Sequence, residues 1–283
     1  MSFLIRELRS WAFDMPMTKK VILKKGRETS VLRRHPWIFS GGIYKTEGTP
    51  VPGDLVSVYS AQGDPLGIGH YQDSSISVRL LEFQTENLPE NFWQTRLADA
   101  WRFRQSIRLP DGQTNMFRLV HGEGDGLPGL IIDIYGETAV IQFHDIGMFR
   151  AKNKIMDALQ SLEGLRIEAI YNKSSDTLHG QAGQVKDEYL FGDRMPGPFL
   201  ENGIPFEVNW ETGQKTGFFL DQRDNRALVA RYSQGRKVLN AFSYTGGFSM
   251  YALSNGASSV VSMDISQPAL DQARINSDLL KGF

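Results

Sequence analysis

The sequence predicts a mixed fold in three parts: a small N-terminal β-barrel, an α+β central unit, and the opening βαβα half of a doubly wound α/β sheet. Three observations predict it. Short alternating strands punctuated by Gly and Pro fill residues 19–88, apolar residues recur at helical spacing over 89–109 ahead of further strands, and strand and helix alternate strictly from Lys237 onward. With 283 residues, 41% of them hydrophobic, the chain can bury sizeable cores. It has no cysteine, which excludes disulfides, thiolate metal sites and a cysteine nucleophile within these residues. No metal partner is expected. No apolar run approaches the roughly 18 residues that span a bilayer, and the first residues lack the apolar stretch of a signal peptide. The sequence therefore predicts a cytoplasmic protein without a membrane partner.

The net charge of −1 hides a gradient. Residues 1–40 carry nine Lys and Arg against three acids, a local excess of +6, which leaves −7 for the rest. Such asymmetry suits an anionic partner bound at one end, although a solvated basic face is the commoner origin.

In chain order, residues 1–18 show no periodicity and read as a tail. Over 19–88 the strands are Val21–Leu23, Asp54–Tyr59, Leu66–Tyr71 and Ile76–Leu81. A linking helix with a basic side follows, Phe92, Trp93, Leu97, Ala100, Trp101 and Ile107 sharing a stripe among Arg96, Arg102, Arg104 and Arg108. The central unit, 89–198 with that helix included, reads as strands at 117–120, 130–134 and 138–143, a helix over 148–162 and a strand at 167–171. From 199 the third part begins. Asn202-Gly203 between apolar runs signals a hairpin, Asp221 is the expected N-cap of a helix over 221–233, and strands 237–242 and 259–264 alternate with helices 248–254 and 267–280. An uncovered edge of this half sheet favours pairing with a second copy of the chain, a homodimer.

The chemistry concentrates where Ser243-Tyr-Thr-Gly-Gly247 joins the first of these strands to its helix, with Asp264 ending the second strand. Glycines admit a nucleotide close to the backbone, and a carboxylate at a strand's carboxyl end can take both ribose hydroxyls. The GxGxxG fingerprint is absent. A pyrophosphate needs a tight amide cradle, whereas S-adenosylmethionine has no phosphate, so the loop favours S-adenosylmethionine over NAD. Read on spacing alone, an ordinary Gly-Gly turn remains open. Upstream, Gly213 to Arg223 packs a cation, two aromatics and an acid into one loop, which also suits a capped helix start with core phenylalanines.

Leu32-Arg-Arg-His-Pro-Trp-Ile-Phe-Ser-Gly41, Gly122-Glu-Gly-Asp-Gly-Leu-Pro-Gly129, Lys215-Thr-Gly-Phe-Phe-Leu-Asp-Gln-Arg223 and Asn240-Ala-Phe-Ser-Tyr-Thr-Gly-Gly-Phe248 occur in this order. Together they closely resemble the PUA-domain ribosomal RNA methyltransferases, class I and S-adenosylmethionine-dependent, that form 5-methylcytosine in large-subunit (23S) rRNA. The resemblance covers about residues 18–283. It implies a PUA RNA-binding barrel at 19–88, with Lys24, Lys25, Arg33 and Arg34 as contacts to ribosomal RNA phosphates. It implies a linking central domain in which Asp125 and the glycines form a structural loop. It implies a Rossmann-like methyltransferase domain from 199, with Phe242, Tyr244, Thr245, Gly246 and Gly247 in its first cofactor motif. Asp264, Ile265 and Ser266 match the ribose and adenine side of that site. Lys215, Phe218, Asp221 and Arg223 match the block bordering the cofactor's methionine end, where a cation would hold the carboxylate and Asp221 the ammonium.

That family activates cytosine by adding a cysteine thiolate to C6, assisted by the acid of an Asp-Pro-Pro motif. Neither motif is in this sequence, so no catalytic residue is expected within it. The resemblance places both beyond Phe283, with the methyltransferase domain cut midway, and the 283 residues alone are expected to methylate no RNA. Relatives that share the Thr-Gly-Phe-Phe-Leu-Asp-Gln-Arg type of block modify guanine without a cysteine, which is the alternative for the target base. The other alternative is that the truncated chain is a non-catalytic RNA-binding module, held by the basic barrel and the Arg-rich helix.

Overall fold

Contacts divide the chain into two units, Met1–Asn87 and Leu88–Phe283. The computed structural model describes residues 19–178 and 185–282. The expected tail at 1–18 lies outside the described residues.

In the first unit, alternation sets the strands. Val21 and Leu23 of β1 (Lys20–Leu23) are buried while Lys20 and Ile22 are only partly so. The other strands are β2 (Trp37–Phe39), β3 (Ile43–Glu47), β4 (Leu55–Tyr59), β5 (Pro65–Tyr71) and β6 (Ile76–Phe83). Their order is β2-β6-β5-β4-β1-β3. Val21, Leu23, Ile38, Val56, Val58, Val78 and Leu80 form one core, with Val31 from a short helix α1 (Glu28–Leu32) closing it. The expected barrel is thus a six-stranded sheet with β2 and β3 at its edges; no ladder joins those two among the described residues. The sequence reading missed β2, β3 and α1.

The second unit opens with α2 (Phe92–Ser106), whose Phe92, Trp93, Leu97, Ala100 and Trp101 are buried as the stripe predicts, whereas Ile107, its last expected member, lies just past the helix and is half exposed. Its basic side is not uniform. Arg104 turns inward, 7% exposed, and holds both oxygens of Asp125 at 2.8 and 2.6 Å. Asp125 also accepts from the His121 amide, which makes this glycine-rich loop the structural element expected.

Five strands follow in the order β11-β10-β9-β8-β7: β7 (Met116–His121), β8 (Leu130–Tyr135), β9 (Thr138–Phe143), β10 (Ala169–Asn172) and β11 (Glu188–Phe191). Only β9 and β10 pair in parallel, with the helical crossover between them. That crossover is two helices, α3 (Ile146–Arg150) and α4 (Lys152–Gln160), rather than one. Asp145 caps the first by accepting from the Met148 amide, and the chain breaks at Ala151.

The hairpin of β12 (Phe199–Glu201) and β13 (Ile204–Phe206) turns on Asn202 and Gly203, both at positive φ as a tight two-residue turn demands. Then come α5 (Arg223–Arg231), β14 (Lys237–Ala241), α6 (Gly247–Ser254), β15 (Ser259–Met263) and α7 (Gln267–Gly282). β14 and β15 pair in parallel, Ala241 opposite Met263, so βαβα is what forms. One face of this pair leaves Leu239, Val261 and Met263 exposed. A single core runs across residue 198: Met116, Tyr135, Val140 and Tyr171 pack with Phe199, Phe206, Trp210, Phe218, Met250 and Tyr251. The central sheet and the last stretch are therefore one packed body.

Candidate functional site

Because β14 and β15 run in parallel, Phe242 and Asp264 both emerge at their carboxyl ends. That is where an open α/β sheet binds ligands. The chain bends sharply there, with Phe242 at φ +57, Tyr244 at +46 and Gly246 at +80. Gly246 is the N-cap of α6, and a Cβ on it would lie 3.0 Å from Ala273 Cβ, so both its conformation and the close approach of α7 require glycine.

Asp264 organises this turn. Its Oδ2 accepts from the Tyr244 amide at 2.8 Å and its Oδ1 from the Ser266 amide at 2.9 Å. The Ser266 amide, then that of Tyr244, hold its carboxyl below the usual carboxylate range. The group stays ionised, and each oxygen keeps a further lone pair for an incoming hydroxyl. On either side stand two bare apolar side chains, Phe242 at 91% exposure and Ile265 fully exposed.

Inside the turn, the Ser243 and Thr245 hydroxyls are buried without a hydrogen-bond partner among the described residues. Buried polar groups are normally satisfied. Two such unsatisfied groups fall in the one turn that Asp264 holds through the Tyr244 amide. The Thr245 carbonyl accepts from Asn276 of α7, which fixes the loop from below.

Tyr244 ties this turn to the preceding loop. Its hydroxyl accepts from the Gln214 amide at 2.8 Å and donates to the Gly217 carbonyl at 3.2 Å, and its ring meets Phe219 edge-on at 5.2 Å. Lys215 sits beside this contact with its ammonium 4.6 Å over the Phe219 ring. Gly217 lies at φ +103, where a Cβ would come within 2.9 Å of Asn209 O and Trp210 Cα. Gly217→Ala is expected to destabilise the protein by about 1–3 kcal/mol, read from urea unfolding. A change indistinguishable from zero would mean the loop can relax.

The loop is anchored underneath by residues that sequence reasoning missed. Thr216, fully buried, donates to Asp133 Oδ2 at 2.5 Å, and Arg118 grips the same carboxylate at 2.8 and 2.9 Å. The signal was an acid inside the apolar run Leu130 to Tyr135. Burial, then the Asp133 charge, push the Tyr135 phenol well above its ordinary value, so its hydroxyl stays protonated beside Thr216.

The structure therefore brings together Lys215, Phe242, Tyr244, Thr245, Gly246, Gly247, Asp264, Ile265 and Ser266. Phe218 is placed differently. It is 3% exposed, packed against Phe206 and under the Arg226 guanidinium, where it backs Gly247. Asp221 and Arg223 line a depression of about 340 Å³ with Arg118 and His121. Nor is Asp221 an N-cap: it sits in a 3-10 turn at Leu220–Gln222, and α5 starts at Arg223 without a side-chain cap. Among the described residues no cluster of three His, Asp or Glu is placed to hold a metal, and no helix is long and apolar enough to cross a membrane.

Residues 21–83 match the family model of a PUA-like domain and residues 178–282 that of an S-adenosylmethionine-dependent methyltransferase, the class that this fold and site define. Among curated proteins, the ribosomal RNA large subunit methyltransferases I of Vibrio vulnificus (strain CMCP6) and Aeromonas salmonicida are 40% and 42% identical over 93% of this chain. The chain spans 66% and 67% of their respective lengths. A Streptococcus mutans protein assigned to the S-adenosylmethionine-dependent methyltransferases has the same fold, with a TM-score of 0.80 at 23% identity over 93% of this chain and 67% of that one. A solved structure of SMU.776, complexed with SAH, gives a TM-score of 0.79 at 23% identity over 92% of this chain and 66% of that one. The chain belongs to the ribosomal RNA large subunit methyltransferase I family.

Proposed function

We propose that the second unit binds S-adenosylmethionine at the turn 242–247, and that the protein acts in the cytoplasm on large-subunit ribosomal RNA, making 5-methylcytosine. The observation that carries the cofactor reading is the pairing of two orphaned buried hydroxyls, Ser243 and Thr245, with the ionised Asp264 at the ends of parallel strands. In this reading Asp264 takes the ribose hydroxyls. Ile265 lies against the adenine, and Ser266 presents its backbone there. Lys215 offers a cation to the cofactor's carboxylate, while Asp221 and Arg223 border the approach to its methionine end. When bound, the cofactor supplies an electrophilic methyl group; these side chains bind and orient it.

The rRNA reading draws on the relatives' names and on the basic residues of the first unit, Lys24, Lys25, Arg33 and Arg34, all exposed. Phosphate contacts of this kind supply affinity and register without choosing a sequence. The cytosine assignment rests on the family resemblance. The thiolate that C5 chemistry requires is not among these 283 residues, which contain no cysteine, so this chain is proposed to contribute the cofactor side of the site.

The test is nucleoside mass spectrometry of 23S rRNA from cells with and without the gene. Loss of a 5-methylcytosine is the expected outcome. Loss of a methylguanine would move the target to guanine, and an unchanged rRNA would sink the reading.

A further inference from the structure

The first unit contains a cavity of about 630 Å³ lined by its own residues. Its lining follows from register. Ile22 of β1 is opposite both Lys45 of β3 and Tyr59 of β4, and Lys20 is opposite Glu47. Opposed residues share a face, so these side chains form one patch on the side of the sheet away from Val21 and Val58. Lys24 and Lys25, which follow β1, also line it, as does the turn after β4 from Ser60 to Gly63. Four lysines thus meet one acid, Glu47, which is engaged by Lys45 at 2.7 Å.

A second feature lies in the same place. Ile22 pairs with Lys45, yet Leu23 pairs with Ile43, so Tyr44 is the extra residue of a β-bulge. Bulges re-aim a side chain at the cost of a ladder bond, and they concentrate at binding sites. This one sets a tyrosine at the cavity with 69% of its surface exposed. The other tyrosine is spoken for: Tyr59 is 9% exposed and carries the Lys20 ammonium 4.9 Å over its ring.

We propose that this cavity binds one unpaired nucleotide of RNA, its base stacked on Tyr44 and the flanking phosphates on Lys20, Lys24 and Lys25. The inference rests on the rRNA reading and narrows it. An aromatic face beside a cluster of cations is the chemistry of single-strand recognition, in which stacking accepts any base and lysines follow the backbone. The volume lies within the range of small-ligand sites. Arg33 and Arg34 do not line this cavity, so of the four basic residues proposed to bind RNA the geometry assigns only Lys24 and Lys25 to it.

Fluorescence anisotropy of the whole chain with labelled hexauridylate, and with a short RNA duplex, decides the matter. Tyr44→Ala is expected to weaken hexauridylate binding about tenfold, Tyr44→Phe to leave it within about twofold of wild type, and duplex binding to move little in either. Lys24→Glu should weaken both probes, since it removes a phosphate contact. Tyr44 lies exposed on an edge strand, and circular dichroism checks that each variant is folded. If the wild-type chain binds neither RNA, the rRNA reading falls and this inference with it. If Lys24→Glu weakens binding and Tyr44→Ala does not, RNA binding stands and the nucleotide cavity is overturned. An equal loss of duplex and hexauridylate in Tyr44→Ala overturns it as well.

Discussion

Asp264→Ala is expected to lower affinity for S-adenosylhomocysteine by about 100-fold in calorimetric titration. Two losses combine. The carboxylate is the proposed partner of the ribose hydroxyls, and hydrogen bonds to a charged group contribute about 1.5–3 kcal/mol each. It also holds the Tyr244 and Ser266 amides, so its removal releases the turn that carries the orphaned hydroxyls. Asp264→Asn, which keeps an acceptor oxygen but no charge, should fall between alanine and wild type. The pH dependence has a definite sign. A carboxyl held below its ordinary range contributes fully above that range and is lost only as pH falls through its lowered value. Binding should therefore hold steady from neutrality down to the ordinary carboxylate range. Alanine affinity equal to wild type would remove Asp264 from the site.

The largest stability effect is expected at Glu201 and Arg226. Arg226 is 2% exposed and Glu201 fully buried. Arg226 Nε and Nη2 reach both carboxylate oxygens at 2.7 and 2.6 Å, Nη1 donates to the Phe219 carbonyl, and the Tyr251 hydroxyl donates to Glu201 Oε1. Burial, then the Glu201 charge, keep that phenol protonated far above its ordinary value. Removing one partner strands the other charge in the core, so Arg226→Ala should cost about 3–5 kcal/mol in urea unfolding. Glu201→Leu combined with Arg226→Met should recover most of it, since the pair's own net contribution is small. A single-variant loss below about 1 kcal/mol, the range of exposed pairs, would mean water reaches the pair. Because the same guanidinium holds the Phe219 carbonyl and lies against Gly247, cofactor affinity should drop with stability in Arg226→Ala.

What could be read from sequence was whatever repeats locally. Lys237 to Leu280 alternates strand and helix strictly, and the Asn202-Gly203 hairpin and the tight turn at Ser243–Gly247 fell where spacing put them. The elements missed, β2, β3, β11 and α1, have three to five residues each. Segments that short form because a neighbouring strand or core receives them, and no internal period announces it. The break at Ala151 was invisible for a related reason: Met148 and Ile155 stay buried on both sides of it, so the apolar phase continues. Arg104 and Asp133 show the other limit. Each looks like a misplaced charge until its partner, distant in sequence, is known. Asp221 misled because an acid before a helical stretch is the usual cap, and here a 3-10 turn intervenes.

The anchoring of the loop around Thr216 has a temporal side. Thr216 docks on Asp133, which precedes it by 83 residues, and Arg118 comes earlier still. A ribosome adding about 5–20 residues per second delivers Asp133 on the order of ten seconds before Thr216, and the last strand of its sheet, β11, only a few seconds before it. The chain thus makes Arg118 and Asp133 before the segment, with Lys215 and Gly217 at positive φ, that they anchor.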